Sequence, residues 1–454
     1  MRVSTSHVYN TGVQNMSGQQ TALNESQNQL SSGRRVLRPS DDPSSAARVL
    51  DLERTVSSIE RFNRNGDMAR NRLSMSEGAI DQASHHLQRI RELTVQAAND
   101  SQDRQTRAYI ATEIRERYDQ LMQVANSTDG NGEYLFAGAK TRTRPFNMQP
   151  DGRVEYHGDQ NTRKVRVGPG RSMAVDHSGF STFMKVPNGN GHFQAYENVE
   201  NRGSGVVTVV DQGVRRLDPQ YDYRLRFIED DDGDLRYAIE RRQDSTDSWE
   251  SVHPASGAAL ADDGDGSEEG AARARGMEEP RERGEGAARS LEAEPEARGG
   301  IEDYPRYRPG SAIEIEEGVR VQVDGEPEHG DTFTVSTSRP QSIFDTVHQL
   351  VHALEEQGQG AGFRNSVNRA LGDIDLALEN MFHTRAEVGA RLSTLDTERA
   401  SNHAALVDLH GTISSEEDLD YAEATGRFHK QLTGLEAAQA TFGRVQNLSL
   451  FNYL

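Results

Sequence analysis

The chain has 454 residues, no cysteine and a formal net charge of −21. A length of this order predicts about two to four domains, and the absence of cysteine excludes disulfides and thiolate metal sites. The acidic balance argues against a nucleic-acid or anionic-membrane partner. No apolar run approaches the ~20 residues that a membrane-spanning helix needs. The opening, MRVSTSHVYNTGVQNM, lacks the apolar core of a secretory signal peptide, so export would have to leave the N-terminus uncleaved.

The two ends of the chain each carry an apolar stripe at helical spacing. Residues 1–32 are predicted to form one polar helix, which Gly12 and Gly18 weaken. Residues 419–454 are predicted to form a second helix, because large side chains recur there every three or four positions. Since the stripes lie far apart in sequence, we expect the ends to pair with each other and to pack against other copies of the chain. The residues predicted to pack between subunits are Met16, Leu23, Leu30, Phe428, Leu432, Leu435, Phe442, Val445, Leu448 and Phe451.

Long helices are predicted next to these ends. Asp42 has the chemistry of an N-cap and Pro43 suits the first helical position, so a helix should run from Pro43 to about Ala98 with a coiled-coil seam. A second helix should end near Val124. After Pro340 a heptad series returns, and we expect Arg385, Arg399 and Asn402 to lie in its seam and to fix register. Ser414–Glu417 are then predicted to open the terminal helix by capping.

The middle of the chain has the composition of short strands separated by turns. The tract Ser256–Gly300 consists mostly of Ala, Gly, Glu, Asp and Arg and is predicted to be a disordered loop. The predicted strands are YLFAG, RVEYH and KVRV near residues 134–167, followed by Val206–Val210, Tyr223–Ile228, Leu235–Ile239, Ala312–Ile315, Val319–Val323 and Thr332–Val335.

The predicted fold class is therefore α+β. A long antiparallel, coiled-coil-like helical rod is built from both termini, and a mostly antiparallel β domain is inserted in the middle. The predicted domains are a terminal assembly domain of residues 1–40 with 415–454, a helical rod of 41–150 with 341–414, and an outer β domain of 151–340 that contains the tract 256–300.

Patterns that suggest catalysis or metal binding are weak. Ala137–Thr141 lacks the glycines of a phosphate-binding loop and is predicted to be a hairpin turn. The acidic runs Asp230–Asp234 and Asp262–Asp265 have neither the loop glycine nor the distal glutamate at the spacing of a calcium loop, so exposed turns are the better interpretation. His85 and His86 have no spaced third ligand. We therefore predict no catalytic, cofactor or metal site, and no enzyme.

Several motifs, in the same order at both ends, resemble those of bacterial flagellins. These are LSSGR at 30–34, Asp41-Asp42-Pro43, LQRIRELTVQAAND at 87–100 and the C-terminal helix from Asp418. They cover residues 1 to about 140 and 365–454. The residues that match the family motif are Ser32, Gly33, Arg34, Asp41, Asp42, Arg89, Arg91, Glu92 and Leu93.

Four further stretches resemble the hook-associated junction branch of this family. They are RPSDDPSSAARV, GEYLFAGAKTRTRPF, GVRVQVDGEPEHGDTFTV and the ending SLFNYL, whereas the tract 256–300 matches no family pattern. The resemblance implies a structural subunit that is exported unfolded through the flagellar channel with a dedicated chaperone. Such a subunit would form an extracellular ring with its own copies, between the first hook-associated protein and the flagellin filament.

Two alternatives remain from the sequence alone. The chain could be flagellin itself, the filament subunit, since that protein shares both termini. A more distant alternative is a surface-binding adhesin that uses the β domain as its working part.

Overall fold

A computed structural model describes residues 5–210, 217–243, 248–252, 301, 304–358 and 360–447. The tract Ser256–Gly300, which we predict to be disordered, lies outside these residues. The helices are α1 (Thr5–Ser32), α2 (Pro43–Ala97), α3 (Arg104–Ala125), α4 (Ile343–Glu356), α5 (Ala361–Glu417) and α6 (Tyr421–Asn447). The strands are β1 (Phe146–Met148), β2 (Val154–Tyr156), β3 (Lys164–Gly168), β4 (Arg171–Ala174), β5 (Val186–Pro187), β6 (Phe193–Glu197), β7 (Val206–Val210), β8 (Asp222–Glu229), β9 (Leu235–Arg242), β10 (Glu250–Val252), β11 (Ala312–Glu316), β12 (Val319–Asp324), β13 (Thr332–Thr337) and β14 (Pro340–Gln341).

The order of elements confirms the predicted fold class, since helices at both ends flank a central region of antiparallel strands. The chain divides into two compact units. The first, here called the terminal unit, consists of Met1–Ser74, Arg163–Val175 and Val388–Leu454. The second, here called the β-bearing unit, consists of Met75–Thr162 and Asp176–Glu387. The long helices α2 and α5 contribute residues to both units.

The start of α2 is the one that the sequence predicts. The Asp42 carboxylate accepts the backbone N–H groups of Ser44 at 3.2 Å and Ser45 at 3.1 Å, which would otherwise lack an acceptor in the first helical turn. The Ser45 N–H and hydroxyl and the Ser44 hydroxyl hold the pKa of the Asp42 carboxyl well below its usual range. The cap is therefore ionised at neutral pH, and it complements the positive end of the helix dipole.

The predicted start of the terminal helix is wrong. Ser414–Glu417 form the last turn of α5, and the Ser414 hydroxyl donates to the Asp418 side chain. The terminal helix α6 begins at Tyr421, where the Asp420 carboxylate accepts the N–H groups of Ala422 at 2.9 Å and Glu423 at 3.2 Å. Serine and glutamate have similar local chemistry at a helix start and on an exposed helix face, so composition alone misplaced the boundary.

Only one of the three polar residues predicted for the α5 seam lies in it. In the terminal unit Asn402 is 5% exposed, and its amide donates to the Asn63 side chain at 2.9 Å and to the Val167 carbonyl at 3.1 Å. The side chains of Arg385 and Arg399 are 44% and 63% exposed and form ion pairs at the helix flank. Asn402 therefore has the geometry of a register-fixing residue, whereas the two arginines lie beside the seam.

Two antiparallel sheets share the main core of the β-bearing unit. The larger has the strand order β10-β9-β8-β13-β6, and the smaller has the order β11-β12-β7. Both turn apolar side chains toward the same interior, where Leu225, Phe227 and Val335 of the first sheet meet Val321 and Val323 of the second. This pattern follows from the alternation of apolar and polar residues along each strand.

The predicted strand YLFAG is wrong, although its residues are buried. Leu135, Phe136 and Ala137 are almost fully enclosed, but the segment forms isolated bridges and turns. Its backbone groups form hydrogen bonds with different segments and not with one neighbouring strand. The Tyr134 N–H donates to the Thr141 carbonyl, and the Phe136 carbonyl accepts from the Gly179 N–H. The predicted turn at Ala137–Thr141 is present, with Gly138 at a φ of 62°.

A cluster of aromatic rings forms a second core in the same unit. The Phe344 ring of α4 lies 5.4 Å from that of Phe146, 5.9 Å from that of Phe183 and 6.0 Å from that of Tyr118. All three phenylalanines are fully buried. Through these rings α3, α4, β1 and the π-helical turn Phe180–Met184 pack together.

We expect Phe344→Ala to lower the free energy of unfolding of the β-bearing unit by about 3–5 kcal/mol, because it removes a buried ring and leaves a cavity. Denaturant titration followed by circular dichroism measures this loss. Tyr109→Ala is the control, since Tyr109 is 65% exposed and its replacement should change the free energy by less than about 0.5 kcal/mol. Equal losses in the two variants would contradict the assignment of this core.

Candidate functional site

The two terminal helices pack against each other in antiparallel orientation within the terminal unit. A Cβ atom added at Gly12 would lie 2.9 Å from the Phe442 ring, so α1 and α6 are in close contact there. The Ser26 hydroxyl donates to the Gln431 side chain at 2.7 Å. Farther along, a Cβ at Gly33 would lie 2.9 Å from the Tyr421 hydroxyl. As the residue number rises along α1, the number of the facing residue on α6 falls.

A single chain covers the predicted apolar stripes only in part. Leu435 is 6% exposed, so it is already buried against its own chain. Val13 and Tyr421 remain 40% and 57% exposed. The Val445 side chain and the residues Leu448 and Phe451 lie outside the described part of the structure. The remaining predicted packing residues are half-buried, and they are Met16, Leu23, Leu30, Phe428, Leu432 and Phe442.

The α1–α2 and α5–α6 linkers run side by side at the base of this helix pair. The backbone N–H of Arg35 donates to the Glu417 carbonyl at 2.7 Å, and that of Leu419 donates to the Gly33 carbonyl at 2.9 Å. Arg34 and Asp418 form the antiparallel bridge between these two bonds. The α1–α2 and α5–α6 linkers therefore form one short ribbon, which places the start of α6 beside the end of α1.

Charged side chains reinforce this ribbon. The Arg35 guanidinium donates to the Glu416 carbonyl at 2.7 Å and lies 3.3 Å from the Asp42 carboxylate. The Ser45 hydroxyl, which is buried, donates to the Glu416 carboxylate at 2.8 Å. Arg34 lies 2.7 Å from the carboxylate of Glu417. Apolar periodicity does not point to Arg35, Ser45 or Glu416, although the doublets Arg34-Arg35 and Glu416-Glu417 carry opposite charges that are visible in the sequence.

The family-motif residues of the first linker have defined local tasks. Gly33 ends α1 with a φ of 74°, a left-handed conformation that glycine adopts without strain. Asp41 accepts the N–H groups of Leu37 at 3.2 Å and Arg38 at 2.8 Å, which folds the linker into a turn. Ser32 accepts the N–H of Arg34. The conformation of the linker is thus held by hydrogen bonds between neighbouring residues.

The second group of motif residues lies in the β-bearing unit and joins helices there. Arg89 is within 3.0 Å of the carboxylates of Glu92 and Glu113, which links α2 to α3. Arg91 lies 2.5 Å from the Asp375 carboxylate on α5. Leu93 is 1% exposed and belongs to the core.

The described residues offer little for catalysis or metal binding. Within them no group of three or more His, Asp or Glu side chains has the geometry to hold a metal ion. Asp230 is used internally, because it accepts the N–H of Asp234 and pairs with Arg236 at 2.7 Å. His85 is exposed on α2, and Asp262–Asp265 lie outside the described residues. None of the helices in the described ranges combines the length and the apolar character that a membrane crossing demands.

Comparison with known proteins agrees with the helical N-terminal region. Residues 3–141 match the family described as the bacterial flagellin N-terminal helical region. The N-terminal part of the chain is therefore similar to the flagellins. Over 186 residues the chain is 33% identical to flagellar hook-associated protein 3 of Salmonella typhimurium, and the match covers 41% of this chain.

A solved structure is similar over a larger part of the chain. The flagellar hook-associated protein 3 of Legionella pneumophila superposes with a TM-score of 0.66 at 26% identity, over 80% of this chain and 97% of that one. A flagellin of Clostridium tyrobutyricum is 28% identical over 131 residues, which is 29% of this chain. The match to the Salmonella protein spans 58% of that protein's length, and the match to the Clostridium flagellin spans 35%.

We expect Gly33→Ala to loosen the terminal helix pair. Alanine at a positive φ costs about 1–2 kcal/mol, and its Cβ would press on the Tyr421 hydroxyl. Gly18→Ala is the matched control, because nothing lies within 4 Å of a Cβ there and alanine in a helix gains up to about 1 kcal/mol over glycine. Hydrogen exchange should show faster exchange in α6 for the first variant and unchanged or slower exchange for the second. The opposite order would contradict the close approach of Gly33 to Tyr421.

Proposed function

We propose that this chain is a structural subunit of the bacterial flagellum that forms the ring joining the hook region to the flagellin filament. The observation that carries the proposal is the partly covered apolar stripe of the α1–α6 pair, in a chain that is similar to hook-associated protein 3 from two bacteria. The proposed location is the hook–filament junction outside the cell, reached through the flagellar export apparatus. The proposed role is mechanical, and we assign no catalytic or cofactor-binding residue.

The stripe has the properties of an interface between subunits. Two helices alone can cover only one side of each other, and Phe428, Leu432 and Phe442 stay half-buried. Apolar surface removed from water stabilises an assembly by about 25 cal/mol per Å². A ring repeats that gain in every subunit. Copies of the α1–α6 pair that pack side by side would cover what the single chain leaves open.

The three predicted domains then correspond to layers of the proposed assembly. Residues 1–40 with 415–454 would form the inner tube, 41–150 with 341–414 the next shell, and 151–340 the outer surface. The partners would be neighbouring copies, the first hook-associated protein on one side and flagellin on the other, with an export chaperone before assembly. Gly12 and Gly18 lower the stability of α1 as an isolated helix, so α1 would unfold readily for passage through a narrow export channel.

The main alternative, a flagellin filament subunit, shares the terminal helices. The similarity to hook-associated protein 3 covers a larger share of this chain than the similarity to the Clostridium flagellin, at 41% against 29%. It also extends to a solved structure over 80% of the chain. The larger coverage favours the function of a junction subunit over that of a filament subunit.

Deletion of the gene separates these two functions. A strain that lacks a junction subunit should build complete hooks and release flagellin monomers into the medium, because flagellin has no ring on which to assemble. Electron microscopy of the hooks and immunoblotting of the medium measure the two results. If the deletion removes flagellin itself from both cells and medium, the chain is the filament subunit and the junction proposal is wrong.

A double variant tests the stripe itself. Leu435→Ala with Phe442→Ala should block incorporation, since loss of a buried leucine alone costs roughly 2–5 kcal/mol and recurs in each subunit. Because Leu435 is buried in the single chain, the α1–α6 pair should also loosen, while the β-bearing unit keeps its melting temperature. Thr433→Ala with Thr441→Ala is the control, because both hydroxyls are exposed and donate to carbonyls of their own helix. Normal recovery of the leucine–phenylalanine variant in hook–filament preparations would contradict a packing role.

A further inference from the structure

An open groove of about 720 Å³ in the terminal unit is lined by three arginines. Arg61 and Arg64 come from α2, and Arg166 comes from β3 of the hairpin that packs on it. We refer to the space between these three side chains as the arginine groove. Ser58, Phe62, Asn65, Asp67 and Met68 complete its lining.

The groove is a fixed feature of the terminal unit. The Asn65 amide donates to the Arg166 carbonyl at 2.9 Å, which ties β3 to α2. Arg171 of β4 pairs with Glu398 of α5 at 2.6 Å, and Asn402 donates to the Val167 carbonyl. The hairpin is therefore held from both long helices, and the three guanidinium groups have a stable frame.

The arginine charges are poorly compensated. Arg61 donates to the Ser58 hydroxyl at 2.8 Å, and Arg64 reaches Glu60 only at 3.9 Å. Among the described residues no carboxylate lies within ion-pair distance of Arg61 or Arg166. The one carboxylate in the lining, Asp67, is itself paired with Arg399 at 3.4 Å. The groove thus presents positive charge that its own unit does not neutralise.

Apolar surface accompanies this charge. Met68 is 62% exposed, and Phe62 beside it is half-buried. A basic surface that only contacts water does not require exposed apolar side chains such as Met68 and Phe62. Arginine with exposed methionine and an aromatic ring is the composition that protein interfaces favour.

The charge of the chain is divided unequally between its two units. The terminal unit holds 19 Lys and Arg against 16 Asp and Glu, a net charge of +3. Because the whole chain carries −21, the β-bearing unit carries −24. The tract Ser256–Gly300, with 12 acidic and 6 basic residues, accounts for −6 of this, so −18 remains in the rest of that unit.

We propose that the arginine groove is a docking surface for the acidic β-bearing unit of a second copy of this chain. Identical chains in an assembly offer each other both signs of charge, and a contact between different surfaces of two copies is heterologous, the type that builds rings when it closes. Opposite electrostatic potentials on the two surfaces raise the association rate and favour the correct partner. Met68 and Phe62 supply the apolar contact area. The inference rests on the proposed assembly of copies, and it holds for a ring or a filament alike.

The test uses the absence of cysteine, which makes Met68→Cys the single thiol of the chain. The variant is labelled with benzophenone maleimide, and the label is activated by light in hook–filament preparations assembled from a mixture of ¹⁵N-labelled and unlabelled chains. Mass spectrometry then identifies the cross-linked peptides. We expect peptide pairs of mixed isotope, in which the partner peptide comes from residues 75–162 or 176–387.

Charge reversal is the second arm of the experiment. Arg61→Glu with Arg166→Glu should reduce this cross-link about tenfold, since two attractive contacts become repulsive and 1.4 kcal/mol corresponds to a factor of ten. Arg38→Glu with Arg54→Glu changes the net charge of the terminal unit equally, at exposed side chains outside the groove, and should leave the cross-link unchanged.

Three results would overturn the inference. They are cross-links to another flagellar protein, cross-links to the terminal unit of the second copy, and equal effects of the two reversals. A Met68→Cys chain that restores filament attachment in the deletion strain but gives no cross-link between copies would also refute it. That last outcome would leave the proposed junction role intact, so the two failures are distinguishable.

Discussion

The terminal unit depends on the short ribbon in which residues 33–35 pair with residues 417–419. These backbone bonds join segments that are more than 380 positions apart in the sequence. They set where α6 starts relative to the end of α1, and hence which residues of the two helices face each other. Arg35 and Glu416 reinforce the ribbon with side-chain hydrogen bonds. The Arg35 guanidinium donates to the Glu416 carbonyl, and the Glu416 carboxylate accepts from the Ser45 hydroxyl.

The seam between α2 and α5 brings these distant segments together. In the terminal unit Asn63 faces Asn402, and Arg70 pairs with Asp396. In the β-bearing unit Asp81 pairs with Arg385, and Asp100 pairs with Arg364. Within each unit the partner number falls as the first rises, so the two helices run antiparallel. Exposed ion pairs contribute little stability each, and the buried apolar residues between them supply most of it.

The same ribbon orients a pair of terminal helices whose apolar surface is only partly covered. The α1–α6 pair has fewer fully buried large side chains than the β-bearing unit, in which whole clusters of phenylalanine and valine are enclosed. Its orientation is set at the base by hydrogen bonds, while its apolar stripes are only partly covered. In the proposed assembly, such a chain would hold its packing surface in a fixed orientation, and neighbouring copies would complete the burial.

Much of the fold was predictable because its signals are local. Asp42 and Pro43 mark the start of α2 by capping chemistry and a fixed φ, and the alternation of apolar residues marks the strands β7 to β9 and β11 to β13. The misses concern positions where local chemistry is ambiguous. Ser414–Glu417 resemble a cap but continue a helix, and the apolar run Tyr134–Gly138 is buried without pairing as a strand.

The candidate site was predictable only in part. The apolar stripes could be read from periodicity, since burial on a helix recurs every three or four residues. The ribbon could not, because the partners of Arg35 and Glu416 are set by the fold and not by neighbouring residues. Arg385 and Arg399 show the same limit: a long side chain next to a seam has almost the same spacing as one within it, and only the structure places it at the flank.

Hydrogen exchange of the amides in α1 and α6, compared between the free monomer and isolated hook–filament preparations, tests the central claim most directly. If neighbouring subunits complete the burial of the terminal stripes, residues 7–32 and 421–444 should exchange quickly in the monomer and become strongly protected on assembly. The β-bearing unit, with its complete cores, should be protected in both states. Equal protection of the terminal helices in monomer and assembly would show that the stripe belongs to the monomer, and would contradict the account.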